Sequence, residues 1–271
     1  MNIRELTKKG DKIQFLLEGA DVAFANALRR IMIVEVPSMA IEEVFMAENT
    51  SPLFDEIIAQ RLGLIPLKTD LDSYLLRENC TCQGVGCAQC QVTLTLEKTA
   101  ENEIEIVTSN DIKSQDPKVI PTSPDIPIAK LSRGQRIVLE AYARLGKGKE
   151  HAKWEPVSAC YYKHLPIIEI DSEKINDCEQ VIEACPKNIF KKEKGKIILQ
   201  NIENCSLCKI CEEVCEPGIV KISWDKDKLL FIIESTGVLP PEKILEQALN
   251  ILEQKANTLL DYIKNKAEVK E

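Results

Sequence analysis

Eleven cysteines stand in this 271-residue chain, and one run of four constrains it more than any other feature. Cys205, Cys208, Cys211 and Cys215 lie in Cys-Ser-Leu-Cys-Lys-Ile-Cys-Glu-Glu-Val-Cys-Glu-Pro, the spacing C-x2-C-x2-C-x3-C. A short loop with this spacing can wrap three thiolates around one cuboidal iron–sulfur cluster, while the fourth points away toward a second cluster.

Bacterial ferredoxins carry two such runs, each lending its fourth cysteine to the other's cluster. Here Cys185, followed by Pro186, has the place of the fourth cysteine of an upstream run. Counting back, the other three places hold Ile175, Cys178 and Val181. In this register one cluster, 4Fe-4S or 3Fe-4S, is held by Cys185, Cys205, Cys208 and Cys211. Zinc on the same thiolates is the alternative. Cys178 and Cys215 are too few for a second cluster, but could close a disulfide if their Cα atoms lie within about 7 Å.

A second group, Cys80, Cys82, Cys87 and Cys90, has the spacing C-x-C-x4-C-x2-C with Gly84 and Gly86 between. Four thiolates so close suit one tetrahedral zinc ion; disulfides or free thiols are the other reading. The N-terminus, Met-Asn-Ile-Arg-Glu-Leu-Thr-Lys-Lys-Gly, lacks the apolar segment of a signal peptide, and no stretch is long and apolar enough to span a membrane. A cytoplasmic location is therefore expected, where cysteines are metal ligands before they are disulfides. The net charge of −8 disfavours direct nucleic-acid binding, which needs clustered Lys and Arg. The basic stretch Lys191-Lys192-Glu193-Lys194 reads as a solvated loop.

Periodicity supplies the coarse architecture. Residues 3–17 read as a strand, then Asp21 caps a helix whose face carries Phe24, Leu28 and Ile31 and which Pro37 ends. Arg29 and Arg30 sit near its middle. Strands are expected at 40–48, 91–97, 103–108, 136–145 and 229–234. A helix is expected to open at Pro52 and to stop before Gly63. Cys160 reads as a small buried hydrophobe, and His151 and His164 as structural. From Pro241 a long helix carries a wide apolar stripe that includes Ala248, Leu252 and Leu259.

Two segments carry a family resemblance. Phe24-Ala25-Asn26-Ala27-Leu28-Arg29-Arg30-Ile31-Met32 resembles the first helix of the RNA polymerase alpha-like family, and the block from Asn49 to Leu67 resembles its following segment. The passage from Phe231 to Gly237 into the long helix fits as well. The whole chain resembles the archaeal branch of that family, the alpha-like polymerase components with a ferredoxin-like iron–sulfur insert.

The resemblance implies an α+β fold in three parts. Residues 1–40 and 223–271 form a dimerisation domain from both chain ends, 41–171 a mainly-β inserted domain with the Cys loop 80–90, and 172–222 a ferredoxin-like cluster domain. It implies pairing with the small subunit L through Phe24, Leu28, Ile31, Ala248, Leu252 and Leu259. Arg29 and Arg30 match helix positions that contact a large subunit. It further implies subunits N and P and the large catalytic subunits as partners, with no membrane contact. The eukaryotic relative carries zinc in a loop like 80–90, with one residue fewer between its second and third cysteines.

The leading function is thus a non-catalytic scaffold of DNA-directed RNA polymerase, active in transcription. No acidic metal triad or phosphate-binding glycine loop is apparent. The alternative is an iron–sulfur electron-transfer protein, and the third reading is a zinc-dependent nucleic-acid binder.

Overall fold

The computed structural model of the chain describes residues 1–268, so the last three residues of the expected 223–271 segment lie outside the described residues. In chain order the strands are β1 (Asn2–Lys9), β2 (Lys12–Glu18), β3 (Ser38–Asn49), β4 (Gln91–Thr99), β5 (Ile104–Thr108), β6 (Ile112–Ser114), β7 (Pro127–Ser132), β8 (Arg136–Gly146), β9 (Val157–Ile170), β10 (Phe190–Glu193), β11 (Lys196–Leu199) and β12 (Val220–Ser235). The helices are α1 (Val22–Val34), α2 (Asp55–Gly63), α3 (Gln180–Ala184), α4 (Ile210–Val214) and α5 (Pro241–Glu268). Strands dominate and helices are few, a mixed α and β architecture.

Local chemistry explains most boundaries. The segment 3–17 is a hairpin rather than one strand, because Gly10 turns the chain at φ +53°. Asp21 caps α1, its carboxylate accepting from the Phe24 N–H at 2.7 Å. Helix α2 opens at Asp55 rather than at Pro52, and Gly63 is its last residue rather than its cap. Strand β9 carries Pro166, which has no N–H to give to a ladder. The sheet order β1-β2-β12-β9 puts β9 at an edge, where that loss is tolerated.

The chain packs as two compact units. One comprises Met1–Lys8, Gln14–Ala25 and Tyr161–Ile232. Within it the rings of Phe15 and Phe231 stack at 5.2 Å, and Tyr162 packs on Phe231 at the same distance. Its cysteine-rich part is built from α3, the β10–β11 hairpin and α4 around a buried apolar cluster. The hairpin pairs Phe190 with Leu199 and Glu193 with Lys196. Lys194 and Gly195 form its two-residue turn with φ of +50° and +80°. The basic stretch at 191–194 is solvent-exposed as expected, but it is a strand end and turn of this hairpin rather than a loop, with Lys191 paired to Glu193 and Lys192 to Glu179.

The other unit comprises Lys9–Ile13, Asn26–Cys160 and the chain from Ile233. Its main sheet has the order β3-β8-β4-β6, and β5 pairs with β7 separately. In β8 every second residue from Ile137 to Leu145 is buried, as an antiparallel strand with one wet face requires. Two register shifts in β3, after Ile41 and after Met46, twist it along β8. Residues of α2, β3, β4, β7 and β8 meet in one apolar core. Trp154 anchors the end of β3: its carbonyl accepts from the Ser38 hydroxyl at 2.8 Å. The Arg144 guanidinium and Lys153 ammonium lie 4.5 and 4.4 Å from the centroid of its ring, and both cations pair with Glu42.

Candidate metal centres and interaction face

Cys185, Cys205, Cys208 and Cys211 line one pocket in the first unit, walled by Ile168, Ile189, Phe190 and Ile222. Cys185 caps the C-terminal end of α3, and Cys211 lies in the first turn of α4. Between them, Leu207 and Lys209 adopt φ of +58° and +63°, a left-handed backbone that folds the loop back on itself. This turn aims the Leu207 N–H at Cys205 Sγ, 3.4 Å away. Burial pushes the Cys211 thiol up to about 11, with further upward pressure from Cys205, Cys185 and Cys208. Such an array favours its thiolate form only when a cation shares the pocket.

The sulfurs of the loop 80–90 are spaced for a single ion. Around one tetrahedral zinc, with Zn–S about 2.3 Å, sulfurs lie about 3.8 Å apart. Among the described residues, only the sulfurs of Cys80, Cys82, Cys87 and Cys90 lie all within 4.8 Å of one another. The four thiols of Cys185, Cys205, Cys208 and Cys211, gathered on one pocket, are compatible with a bound metal centre. Thiolate donors, apolar walls and an N–H directed at sulfur are the surroundings in which iron–sulfur clusters are held.

The remaining two cysteines of this region, Cys178 and Cys215, are joined in a disulfide with Cα atoms 5.7 Å apart. Ile175 and Val181 are buried in the same apolar cluster. Aliphatic side chains and a disulfide thus occupy the positions at which the sequence register would place a second cluster.

The loop 80–90 belongs to the other unit. Its sulfurs approach at 3.5 Å (Cys80 to Cys87), 3.6 Å (Cys82 to Cys90) and 3.9 Å (Cys87 to Cys90). These are three edges of a tetrahedron of zinc–thiolate size, the others lying within 4.8 Å, and all three are far longer than a disulfide bond. Gln83, Gly84 and Gly86 all have positive φ, which closes the loop. A Cβ on Gly86 would also meet the Gln91 amide oxygen at 2.6 Å. The Gly86 N–H and the neighbouring thiol of Cys80 hold Cys82 down to about 6, whereas burial pushes Cys90 up to about 12. Cys82 is thus the readiest of the four to shed its proton, and Cys90 the least ready.

The long helix α5 divides in two. Ile244 and Ala248, in its first half, are wholly buried, and Leu252 is half-buried. In the second half Leu259, Leu260, Tyr262 and Ile263 are each 52–60 % exposed. Large apolar side chains so exposed at helical spacing mark an interaction face. Leu28 and Ile31 of α1, expected at a partner's surface together with Ala248, are instead buried within the chain itself. The core takes them because they follow Ala25 and precede Met32 on the helix's fully buried side. Phe24 and Arg29 remain half-buried and Arg30 is exposed. The Arg29 guanidinium is steadied by the Asn26 side chain at 3.0 and 3.2 Å.

Cys160 is buried and pushed up to about 12 by that burial, as an inert core thiol should be. His151 accepts from the Lys153 N–H, and His164 donates from Nδ1 to the Asp225 carbonyl. No described helix is long and apolar enough to cross a membrane. Sequence reasoning did not single out Lys163, which reaches from β9 to the carbonyl of Cys205 at 2.7 Å. A lone lysine in a strand gives no signal of such a contact.

Comparison with known proteins adds a family-level match. Residues 14–256 match the model of the RNA polymerase Rpb3/Rpb11 dimerisation domain. The chain is 42% identical over 267 residues to the DNA-directed RNA polymerase subunit Rpo3 of Methanosphaera stadtmanae, covering 97% of this chain and 98% of that one. It is also 42% identical to the Rpo3 of Pyrococcus horikoshii, covering 98% and 99%. To the DNA-directed RNA polymerase II subunit rpb3 of Dictyostelium discoideum it is 39% identical, covering 91% and 89%.

Proposed function

Because the chain belongs to the RNA polymerase Rpb3/Rpb11 dimerisation-domain family, we propose that it is a non-catalytic assembly subunit of a DNA-directed RNA polymerase. Its partner is a second, smaller alpha-like chain, the small subunit L. The pair is a platform for the large catalytic subunits and for small subunits N and P, in the cytoplasm and without direct nucleic-acid contact.

The observation that carries this reading is the exposed apolar half of α5, with Leu259, Leu260, Tyr262 and Ile263 uncovered by the chain itself. A helix of 28 residues is about 42 Å long, enough to lie along a partner helix for several turns. Leu252 continues that face into the half-buried part. Phe24 of α1, also half-buried, is assigned to the same partner. Arg29 and Arg30 serve a large subunit. Both chain ends, 1–40 and 223–271, make this dimerisation domain; 41–171 is the inserted domain, and 172–222 the ferredoxin-like one.

The cluster of Cys185, Cys205, Cys208 and Cys211 acts as a staple. About fifty residues bury too little apolar surface to be reliably ordered alone, and metal binding supplies the missing free energy. Zinc on Cys80, Cys82, Cys87 and Cys90 does the same for the loop. An electron relay wants a second centre nearby, and Ile175, Val181 and the Cys178–Cys215 disulfide fill that ground.

The test is the double variant Leu252→Asp, Leu259→Asp, co-expressed with the alpha-like partner. Pairing should be lost while the chain's own circular dichroism is kept. Full pairing by a folded double variant would place the interface elsewhere.

A further inference from the structure

Lys163 lies on β9, half-buried, and its ammonium donates to the Cys205 carbonyl at 2.7 Å. Among the described residues no carboxylate lies within 4.0 Å of that ammonium. A cation removed from water without an anion is costly, so a half-buried lysine normally finds a carboxylate. Burial holds the Lys163 ammonium below the ordinary lysine value, with Lys187 pushing the same way and the neighbouring Cys205 and Glu203 opposing it. Lys187 and Lys209 line the cluster pocket, in a chain whose net charge is −8. Lys209 has a carboxylate of its own, Glu212, at 3.8 Å.

We propose that Lys163 is a positioning and charge-tuning residue of the iron–sulfur site: it fixes the backbone of Cys205 and serves as counter-ion to the cluster's thiolate shell. This inference rests on the cluster reading above. A cluster with four thiolates is an anion in both redox states, and more so when reduced. A fixed positive charge beside it stabilises the reduced form and raises the potential. The hydrogen bond to Cys205 holds the first thiolate of the run at its place, as outer partners of metal ligands do.

The full chain, purified without oxygen, is compared as wild type, Lys163→Met, Lys163→Gln and Lys163→Arg. Two readouts are taken: the midpoint potential by redox titration followed by electron paramagnetic resonance, and the rate of iron release to a chelator. Met and Gln should both lower the potential, because both remove the charge. Met should also release iron faster, because losing an outer partner typically weakens metal affinity by about 10–100-fold. Arg, which keeps charge and donor, should stay near wild type on both. Wild-type potential and release rate in Lys163→Met would overturn the proposal. If that variant fails to accumulate, equal potentials for Gln and Arg would overturn it alone. Wild-type chain without iron would overturn the cluster reading itself, and this inference with it.

Discussion

A side chain at position 146 would collide with Trp154: a Cβ on Gly146 would lie 2.4 Å from the indole Cε2. The same indole donates to the Arg144 carbonyl and is flanked by two cations, so it has nowhere to move. Gly146→Ala should therefore destabilise its unit by about 1–3 kcal/mol, the usual cost of overpacking. Urea unfolding followed by tryptophan fluorescence measures this; an unchanged midpoint would mean that the indole is loosely held.

The tetrahedral loop predicts one zinc per chain and a pH-dependent affinity. Cys90 is pushed up to about 12, so it must release a proton on binding, whereas Cys82, held at about 6, is already largely thiolate at pH 7. Zinc affinity should rise about tenfold per pH unit for each proton released. Competition with a chromophoric chelator between pH 6 and 8 tests this, with Cys90→Ser as the variant that loses the metal. A flat pH profile, or full zinc in Cys90→Ser, would contradict it.

Asp70 predicts an acid-side loss of stability. The Lys118 ammonium, then the Ser73 hydroxyl and two backbone N–H groups, hold its carboxyl well below the ordinary carboxylate range. Its contribution is fully present above about pH 4, the unfolded value, and drains as pH falls toward the depressed native one. Asp70→Asn should be less stable than wild type at pH 7, and the gap should narrow toward pH 3. A gap of constant size would show that Asp70 acts through shape rather than charge.

The disulfide between Cys178 and Cys215 closes a loop across 37 positions of sequence. Its removal by Cys178→Ser with Cys215→Ser should cost about 2–4 kcal/mol in the first unit. Thermal unfolding of wild type, with and without reductant, should show a matching shift. Iron content in the double variant should persist, because neither residue lines the cluster pocket; its loss would tie the two sites together.

The strands expected at 91–97 and 136–145, the capped helix and the long amphipathic helix were legible because their periods are clean. Strand β9 was not, since Pro166 interrupts its sequence and only its edge position makes that harmless. Strand β12 begins at Val220, well before the apolar run at 229–234, because Asp225, Lys226 and Asp227 hide its first half. The two cysteine groups stand out by spacing, which brings four thiols together in each without naming what they hold. Lys163 does not, because its role depends on a contact 42 positions away. The burial of Leu28, Ile31 and Ala248 was equally hidden: periodicity gives an apolar face but not what covers it.

The most direct test of the assembly role is affinity purification of the tagged full chain from its native cells without oxygen, followed by mass spectrometry and iron analysis. A small alpha-like subunit and two very large polymerase subunits should come with it, along with bound iron. Recovery of the chain alone, or of oxidoreductases in place of polymerase subunits, would contradict the assembly role and favour electron transfer.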